Sequence, residues 1–196
     1  MKYNNIKVRR IATRIVIPVI AVLLLGCSTK VVRYVNPEAN FSYIKKVAVL
    51  PFNNFSSDRF AGEKVRTAIM VELLSRGVFD VVEEGEVNKV VSMVLRSAGA
   101  VEGGVFEPDK ETIRILGERL GVQAVIVGSV EEYGGGREGV VSISARMIDT
   151  SSGIVLWQAK AYETSSSAWR KIIGIEELDR TVLTTKAVKR LLDTLL

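Results

Sequence analysis

The sequence contains no histidine and a single cysteine, Cys27. Histidine is the usual general base near neutral pH, the commonest metal ligand and the proximal haem ligand, so its absence argues against many enzymes and metalloproteins. One thiol forms no internal disulfide, and without histidine it has no partner for a Cys–His nucleophile. Catalysis would have to use carboxylates, lysine, tyrosine or serine. We expect no cofactor, no metal site and no enzymatic activity.

A charge excess of one sign is also missing outside the N-terminus. The chain carries 27 lysines and arginines against 22 acidic residues, a net charge of +5. The whole excess comes from basic residues near the start, namely Lys2, Lys7, Arg9, Arg10 and Arg14. The rest of the chain is formally neutral, which argues against a nucleic-acid partner and against electrostatic attraction to anionic lipid.

The N-terminus has the pattern of a bacterial lipoprotein signal. The basic residues precede an apolar run from Ile15 to Leu25, which is shorter than the roughly 20 residues of a membrane-spanning helix. Leu24, Leu25 and Gly26 lead directly into Cys27. We predict that residues 1–26 are removed and that the Cys27 thiol is acylated. Each buried CH2 contributes about 0.8 kcal/mol, so two or three acyl chains anchor the protein to the membrane.

The residue after the cysteine bears on location. It is Ser28 rather than the Asp that retains lipoproteins at the inner membrane in some bacteria. This predicts the periplasmic face of the outer membrane, with sorting rules that differ between lineages. The alternatives are an uncleaved anchor helix or a plain secretory leader, in which Cys27 would be a free thiol.

Beyond the signal we expect a tether over residues 27–44, which lets the domain stand off the membrane, and one α/β domain over 45–196. Apolar runs and period-two patterns predict strands at 46–52, 79–83, 123–130, 140–149 and 154–163, and helical stripes predict helices at 60–76, 84–95, 109–120 and 176–196. The last two strands form an antiparallel hairpin through the turn Asp149–Gly153. The expected architecture has a mixed sheet with helices packed on it, in two or three layers.

Four segments together resemble the CsgG family of outer-membrane lipoproteins, named for the curli-secretion channel. They are Lys46–Phe52, Leu73–Glu83, Ala124–Val130 and Met147–Val155. Penicillin-binding-protein activator lipoproteins and the N-terminal domain of TolB look similar in a looser way. Each segment marks a strand, turn or helix boundary, so the resemblance implies a fold rather than an activity.

The sequence departs from the curli channel at the two sites where that family inserts membrane-crossing hairpins. Gly134–Gly139 and Ser165–Ile175 are too short, since one spanning strand needs about 9 to 11 residues. We therefore expect a domain held to the membrane by lipid alone, acting through protein–protein binding in envelope assembly or secretion. Three alternatives remain: a ring-forming export component, a regulator of peptidoglycan synthesis, and a hydrolase or lyase that uses carboxylates such as Glu83 and Glu132.

A few side chains stand out as candidates for function. Trp169 and Arg170 form a possible protein interface, because exposed Trp and Arg are frequent anchors of protein contacts; packing under the last helix is the alternative. Trp157 is predicted to pack in the core or on the sheet. Two acidic clusters, Glu83, Glu84 and Glu86 and then Glu131 and Glu132, are interpreted as solvated faces and helix-dipole acids rather than cation sites.

Overall fold

A computed structural model describes residues 31–97, 105–134, 139–165 and 179–195. The strands are β1 (Val32–Val35), β2 (Lys46–Val49), β3 (Asn53–Asn54), β4 (Asp80–Val81), β5 (Ala124–Tyr133), β6 (Val140–Asp149) and β7 (Val155–Thr164). The helices are α1 (Ala61–Arg76), α2 (Glu84–Ser97), α3 (Lys110–Leu120) and α4 (Arg180–Leu192).

All seven strands belong to one mixed sheet, in the order β1-β7-β6-β5-β2-β4, with β3 paired to β5 beyond the end of β2. β2 runs parallel to both β4 and β5. From β5 through β6 and β7 to β1 every pairing is antiparallel. The expected α/β domain with a mixed sheet and an antiparallel C-terminal hairpin is therefore confirmed.

The two faces of the sheet carry separate cores. On one face α1 and α4 pack against alternate strand residues, including Val49, Ile126 and the fully buried Trp157. On the other face α2 and α3 cover Leu50 and Val125. The parallel half of the sheet thus lies between two helix layers, whereas the antiparallel half has a helix layer on one face only. Both the two-layer and the three-layer descriptions hold, each for half of the molecule.

Local sequence signals explain where the helices end. α1 and α3 end at Gly77 and Gly121, which adopt φ of 62° and 63°. This left-handed conformation is open to glycine without steric penalty. α3 begins after Asp109, whose carboxylate accepts a hydrogen bond from the backbone N–H of Thr112 at 2.8 Å. These boundaries agree with the sequence prediction, because capping is decided by neighbours along the chain.

The segment assigned to the tether contributes a strand to the sheet. β1 pairs with β7, and Asn36 donates a backbone hydrogen bond to Leu156 at 2.9 Å. Tyr43 donates its hydroxyl proton to the Asp149 carboxylate, and Ile44 is buried. Residues 32–44 therefore lie on the domain, in contrast to the free tether predicted over 27–44. The reason is that Val32, Tyr34 and Val35 suit an edge strand, although four residues give too short a pattern to recognise.

The topology creates a switch point at the end of β2. The chain leaves β2 through α1, which packs on one face, and returns to the sheet at β4 on one side of β2. It then passes through α2 and α3 on the opposite face and enters β5 on the other side of β2. In open α/β sheets such a reversal leaves a crevice at the carboxyl end of the strand between the two connections.

Candidate interaction surfaces

A sheet edge that pairs with no other strand of the described residues is the first exposed surface. β1 is the terminal strand, and all four of its residues are exposed. Val32, Tyr34 and Val35 expose 68%, 51% and 41% of their surface. We call these three residues the edge patch; Val32 and Tyr34 point to one face of the sheet and Val35 to the other. A free edge presents a row of N–H and C=O groups that can pair with another strand, and natural proteins normally shield such an edge.

The second exposed surface lies on α1. Val71, Leu74 and Val78, which follows the helix, expose 60%, 57% and 50% of their surface. Val71 and Leu74 are three residues apart and so lie on one side of the helix, and Val78 comes just after its end. We call these three residues the helix stripe. The sequence pattern put Leu74 on the buried face. Apolar residues instead surround this helix, which is typical of a helix that is covered on both sides.

Ion pairs hold the helix stripe in a fixed position. The Arg76 guanidinium contacts the Glu72 carboxylate at 2.8 Å within α1 and the Asp193 carboxylate at 2.7 Å at the end of α4. Burial acts to lower the pKa of Arg76, but hydrogen bonds to Asp193 and Glu72 outweigh it and raise the pKa. These contacts join the C-terminal turn of α1 to the end of α4.

The uncovered face of the antiparallel half is polar. Gln158, Lys160 and Tyr162 on β7 are exposed there. Lys160 pairs with Glu131 and Arg146 pairs with Glu107. A cavity of about 130 Å³ opens on this face between Phe106 and Arg146. These charges largely neutralise one another, so the face contributes little net attraction for a charged partner.

The residues predicted as sites fall in different places. Leu24, Leu25, Gly26 and the lipidation residue Cys27, and also Trp169 and Arg170, lie outside the described residues. Trp157 is buried in the core, as expected, and its indole N–H donates to the Thr194 hydroxyl at 2.9 Å.

The two acidic clusters lie on separate elements. Glu83, Glu84 and Glu86 lie at the start of α2, where Glu84 pairs with Arg66 at 3.2 Å. Glu131 and Glu132 lie near the end of β5, and no hydrogen bond or ion pair between described residues joins them to the first cluster. Within the described ranges, no group of three or more Cys, Asp or Glu residues is placed to hold a metal ion. None of the helices in these ranges has the length and apolar character needed to cross a bilayer.

Sequence reasoning missed Arg66, which is only 3% exposed. Its Nε donates to the Val49 carbonyl at 2.9 Å, and its Nη1 donates to the Asn88 side-chain oxygen at 2.7 Å. The signal was present in the sequence, because position 66 is three residues before Ile69 and seven before Leu73 on the buried side of α1. An arginine in such a stripe indicates a buried polar contact.

Comparison with known proteins shows a shared fold but no family. No family model and no curated protein sequence matches the chain. Among solved structures, the PelC dodecamer from Paraburkholderia phytofirmans is 22% identical, with 84% of this chain and 97% of that chain covered and a TM-score of 0.52. A point variant of the same PelC dodecamer gives 22% identity, 85% and 98% coverage and a TM-score of 0.56.

A more distant likeness joins the chain to a lipoprotein domain. The C-terminal domain of LpoB from Salmonella enterica is 14% identical over 61% of this chain and 82% of that one, with a TM-score of 0.46. The resemblance to the CsgG family stays a prediction from the sequence. The PelC structures carry the firmer conclusion: this chain shares their fold.

Proposed function

We propose that this protein is a non-enzymatic lipoprotein of the outer membrane that acts by assembling with copies of itself into a ring on the periplasmic face. The ring would serve as a scaffold for envelope assembly or secretion. The observation that supports the proposal is the presence of two unlike apolar surfaces on one domain, the edge patch on the terminal strand β1 and the helix stripe on α1 and the residue Val78 that follows it.

The positions of the two surfaces determine the kind of assembly they support. β1 ends the sheet on one side, and Val78 lies two residues before β4, which ends it on the other. Two different surfaces that bind each other form a head-to-tail contact, and repetition of that contact closes into a ring when the rotation between subunits permits. The edge patch on β1 and the helix stripe on α1 are proposed to form such a pair, in competition with symmetric contacts of edge with edge or helix with helix.

Exposed apolar side chains gain free energy when a partner covers them, by about 25 cal/mol for each Å² removed from water. Contiguous apolar patches on a folded protein mark binding sites more often than chance exposure. The PelC structures that share this fold are dodecamers. Fold likeness at 22% identity is compatible with a different subunit number, so the proposal specifies a closed ring and leaves the stoichiometry to measurement.

Native mass spectrometry of the full chain, extracted in mild detergent, tests the assembly. We expect a single oligomer larger than a dimer. Replacing Leu74 with Asp places a charge in the helix stripe, and replacing Tyr34 with Asp does the same in the edge patch. Each change weakens association at least about hundredfold, because an unpaired charge buried at an interface costs several kcal/mol. Val182→Asp is the matched control, since Val182 is 48% exposed but belongs to neither surface.

Mixing the two variants gives the decisive result. The Leu74→Asp protein keeps its edge patch and the Tyr34→Asp protein keeps its helix stripe, so together they should form a heterodimer through the two intact surfaces. Neither variant alone should do so. Wild-type protein that stays monomeric would contradict ring formation and favour docking onto a different envelope protein. A mixture that stays monomeric would show that the two surfaces do not bind each other.

A further inference from the structure

The sheet has a second free edge, opposite the edge patch. Among the described residues, β4 ends the sheet on one side as β1 ends it on the other. β4 runs in the direction of β2 and β5, whereas the three antiparallel pairings from β5 to β1 leave β1 running the opposite way. A second copy placed beside the first in the same orientation therefore brings its β1 antiparallel to β4.

The backbone of β4 offers hydrogen-bonding groups on its outer side. Asp80 and Val82 donate their N–H groups to carbonyls at and just before β2, at 2.8 and 3.0 Å. Successive residues of a strand direct their N–H and C=O groups to opposite sides. Val81 lies between these two residues, so its N–H and C=O point away from β2 and are open to another strand.

The same reasoning identifies the outward groups of β1. Asn36, which follows the strand, donates its N–H to the Leu156 carbonyl at 2.9 Å. Alternation along the strand then turns the N–H and C=O groups of Arg33 and Val35 away from β7. The outer side of β1 therefore presents two donors and two acceptors.

Pairing these outward groups determines a register. If Arg33 of one copy lies opposite Val81 of the next, the two residues exchange both of their backbone hydrogen bonds. Tyr34 then lies opposite Asp80 as a non-hydrogen-bonded partner, with the two Cα atoms about 4.5 Å apart. Tyr34 and Asp80 are both exposed, so the phenol can donate to the carboxylate across the two strands.

The two edges also carry charges of opposite sign. Arg33 lies on β1, whereas Asp80 and Glu83 lie on and just after β4. Within the described part of the chain, none of these three side chains forms an ion pair. In the register above, Arg33 lies diagonally across from Glu83, within reach of a long side chain. A symmetric pairing of β4 with β4 would instead bring carboxylates together, and one of β1 with β1 would bring arginines together.

The helix stripe lies on the side of α1 that such a neighbour would reach. Glu72 and Arg76 face α4, and Leu74 is about 200° round the helix from each of them. α4 packs on β6 and β7 and α1 on β2 and β4, so the side of α1 away from α4 faces the β4 edge. Val35, like its partner Trp157, faces the helices that cover this side of the sheet. A neighbouring β1 would therefore place Val35 beside Leu74.

We infer that β1 of one copy pairs with β4 of the next, so that main-chain hydrogen bonds continue the sheet from subunit to subunit. The partner of the free edge is thus a second copy of this chain. The inference rests on the proposed ring and specifies its contact, because the edge patch adds to the sheet beneath the helix stripe rather than meeting the helix alone. A strand added to a free edge gains affinity from its backbone and specificity from its side chains.

Disulfide cross-linking of the full chain in isolated membranes tests the register. Tyr34→Cys and Asp80→Cys are combined in one chain, because non-hydrogen-bonded partners lie at a Cα distance that a disulfide can bridge. Within one copy these positions are five strand spacings apart, about 24 Å, so the cysteines bond only between copies. A mild oxidant should convert this variant into a ladder of covalent oligomers larger than a dimer.

Two control variants report the competing contacts. Tyr34→Cys combined with Val71→Cys reports direct contact of β1 with the helix stripe, and it should give at least about tenfold less of the ladder because the distance exceeds that of a disulfide. Tyr34→Cys alone reports symmetric pairing of β1 with β1. It should give no more dimer than the wild type, whose only thiol is Cys27.

The outcomes separate this inference from the ring itself. A ladder from the Val71→Cys variant in place of the Asp80→Cys variant would keep the head-to-tail ring and overturn the continuous sheet. Dimers from Tyr34→Cys alone would replace it with a symmetric contact. Oligomers in native mass spectrometry that give no ladder in any variant would also overturn it, and a monomeric wild type would overturn both proposals.

A proline on the outer side of β1 tests the main-chain hydrogen bonds. Arg33→Pro removes an outward N–H but none that β7 uses, a position at which edge strands tolerate proline. It should weaken association about tenfold more than Arg33→Ala, which removes the charge and keeps the N–H. Equal association of the two variants would contradict backbone pairing. If circular dichroism shows that Arg33→Pro does not fold, the cross-linking pattern decides the outcome.

Discussion

At the scale of single residues, the polar contacts that fasten the N-terminal segment to the domain centre on Asp149. One carboxylate oxygen accepts hydrogen bonds from the Ser151 and Ser152 hydroxyls and from the Ser152 N–H, at 2.6 to 2.7 Å. The other accepts from Tyr43. Asp149 thus closes the β6–β7 turn and holds the residues that lead from β1 into β2.

These hydrogen bonds predict a specific pH dependence of stability. Partial burial raises the pKa of Asp149, but hydrogen bonds from Ser152, Tyr43 and Ser151 outweigh it and lower the pKa to about 2. The unfolded chain has an ordinary aspartate pKa of about 4. The stabilisation by ionised Asp149 is therefore present above about pH 4 and is lost as the pH falls toward about 2.

Thermal unfolding measured across this range checks the prediction. Asp149→Asn should show a smaller fall in midpoint than the wild type between about pH 4 and pH 2. Tyr43→Phe removes one hydrogen-bond donor, so it should raise the pKa of Asp149. The pH range over which stability falls should then be narrower. If the unfolding midpoint falls equally with pH in the wild type and in Asp149→Asn, other carboxylates cause the acid sensitivity.

At the scale of secondary-structure elements, the sequence predicts well those features that depend on local periodicity and capping. The helices that end at Gly77 and Gly121, the apolar strand β5 and the turn Asp149–Gly153 all carry such signals. β1 and β3 do not, because four and two residues are too few for a pattern and their pairing depends on distant strands.

The candidate surfaces were harder to predict for the same reason. Leu74 carries the same side chain whether it faces the core or a partner, so composition alone cannot assign it. Arg66 is bound to Val49 of β2 and to Glu84 and Asn88 of α2, which are two other parts of the chain. Such an environment exists only after the sheet and both helix layers are assembled.

A pair of glycine substitutions tests the packing of the helices on the sheet. A Cβ on Gly117 of α3 would lie 2.4 Å from the Thr150 Cβ, so Gly117→Ala should destabilise the domain by about 1–3 kcal/mol through overpacking. A Cβ on Gly85 of α2 would meet only the flexible Glu83 carboxylate, at 3.4 Å. Gly85→Ala should therefore stabilise by about 0.5 kcal/mol through helix propensity.

Urea unfolding at one fixed protein concentration measures both effects, because association would otherwise add to the apparent stability. We expect Gly117→Ala to lower the free energy of unfolding and Gly85→Ala to raise it. A stabilising Gly117→Ala would mean that α3 does not approach the Thr150 turn as closely as described.

At the scale of the whole molecule, the sheet combines a parallel half enclosed by helices with an antiparallel half that is open on one face. The enclosed half contains the switch point at the end of β2, and the open half ends in the edge patch.

Membrane attachment is tested at this scale as well. Cys27→Ala should abolish incorporation of radioactive palmitate in the bacterial host and leave an uncleaved precursor, because no other thiol exists in the chain. Ser28→Ala is a control that keeps the thiol and should label normally. Labelling of the Cys27→Ala protein would refute the proposed lipid anchor.

The pairing of β1 with β7 sets how far the protein can reach. Val32 is the fifth residue after Cys27. A fully extended chain spans about 3.5 Å per residue, so the linker from Cys27 to Val32 is at most about 18 Å long. An acylated Cys27 would anchor every copy with its β1 strand within that distance of the membrane surface. Neighbouring copies would then meet by diffusion in the plane of the membrane, which would lower the entropic cost of bringing them together.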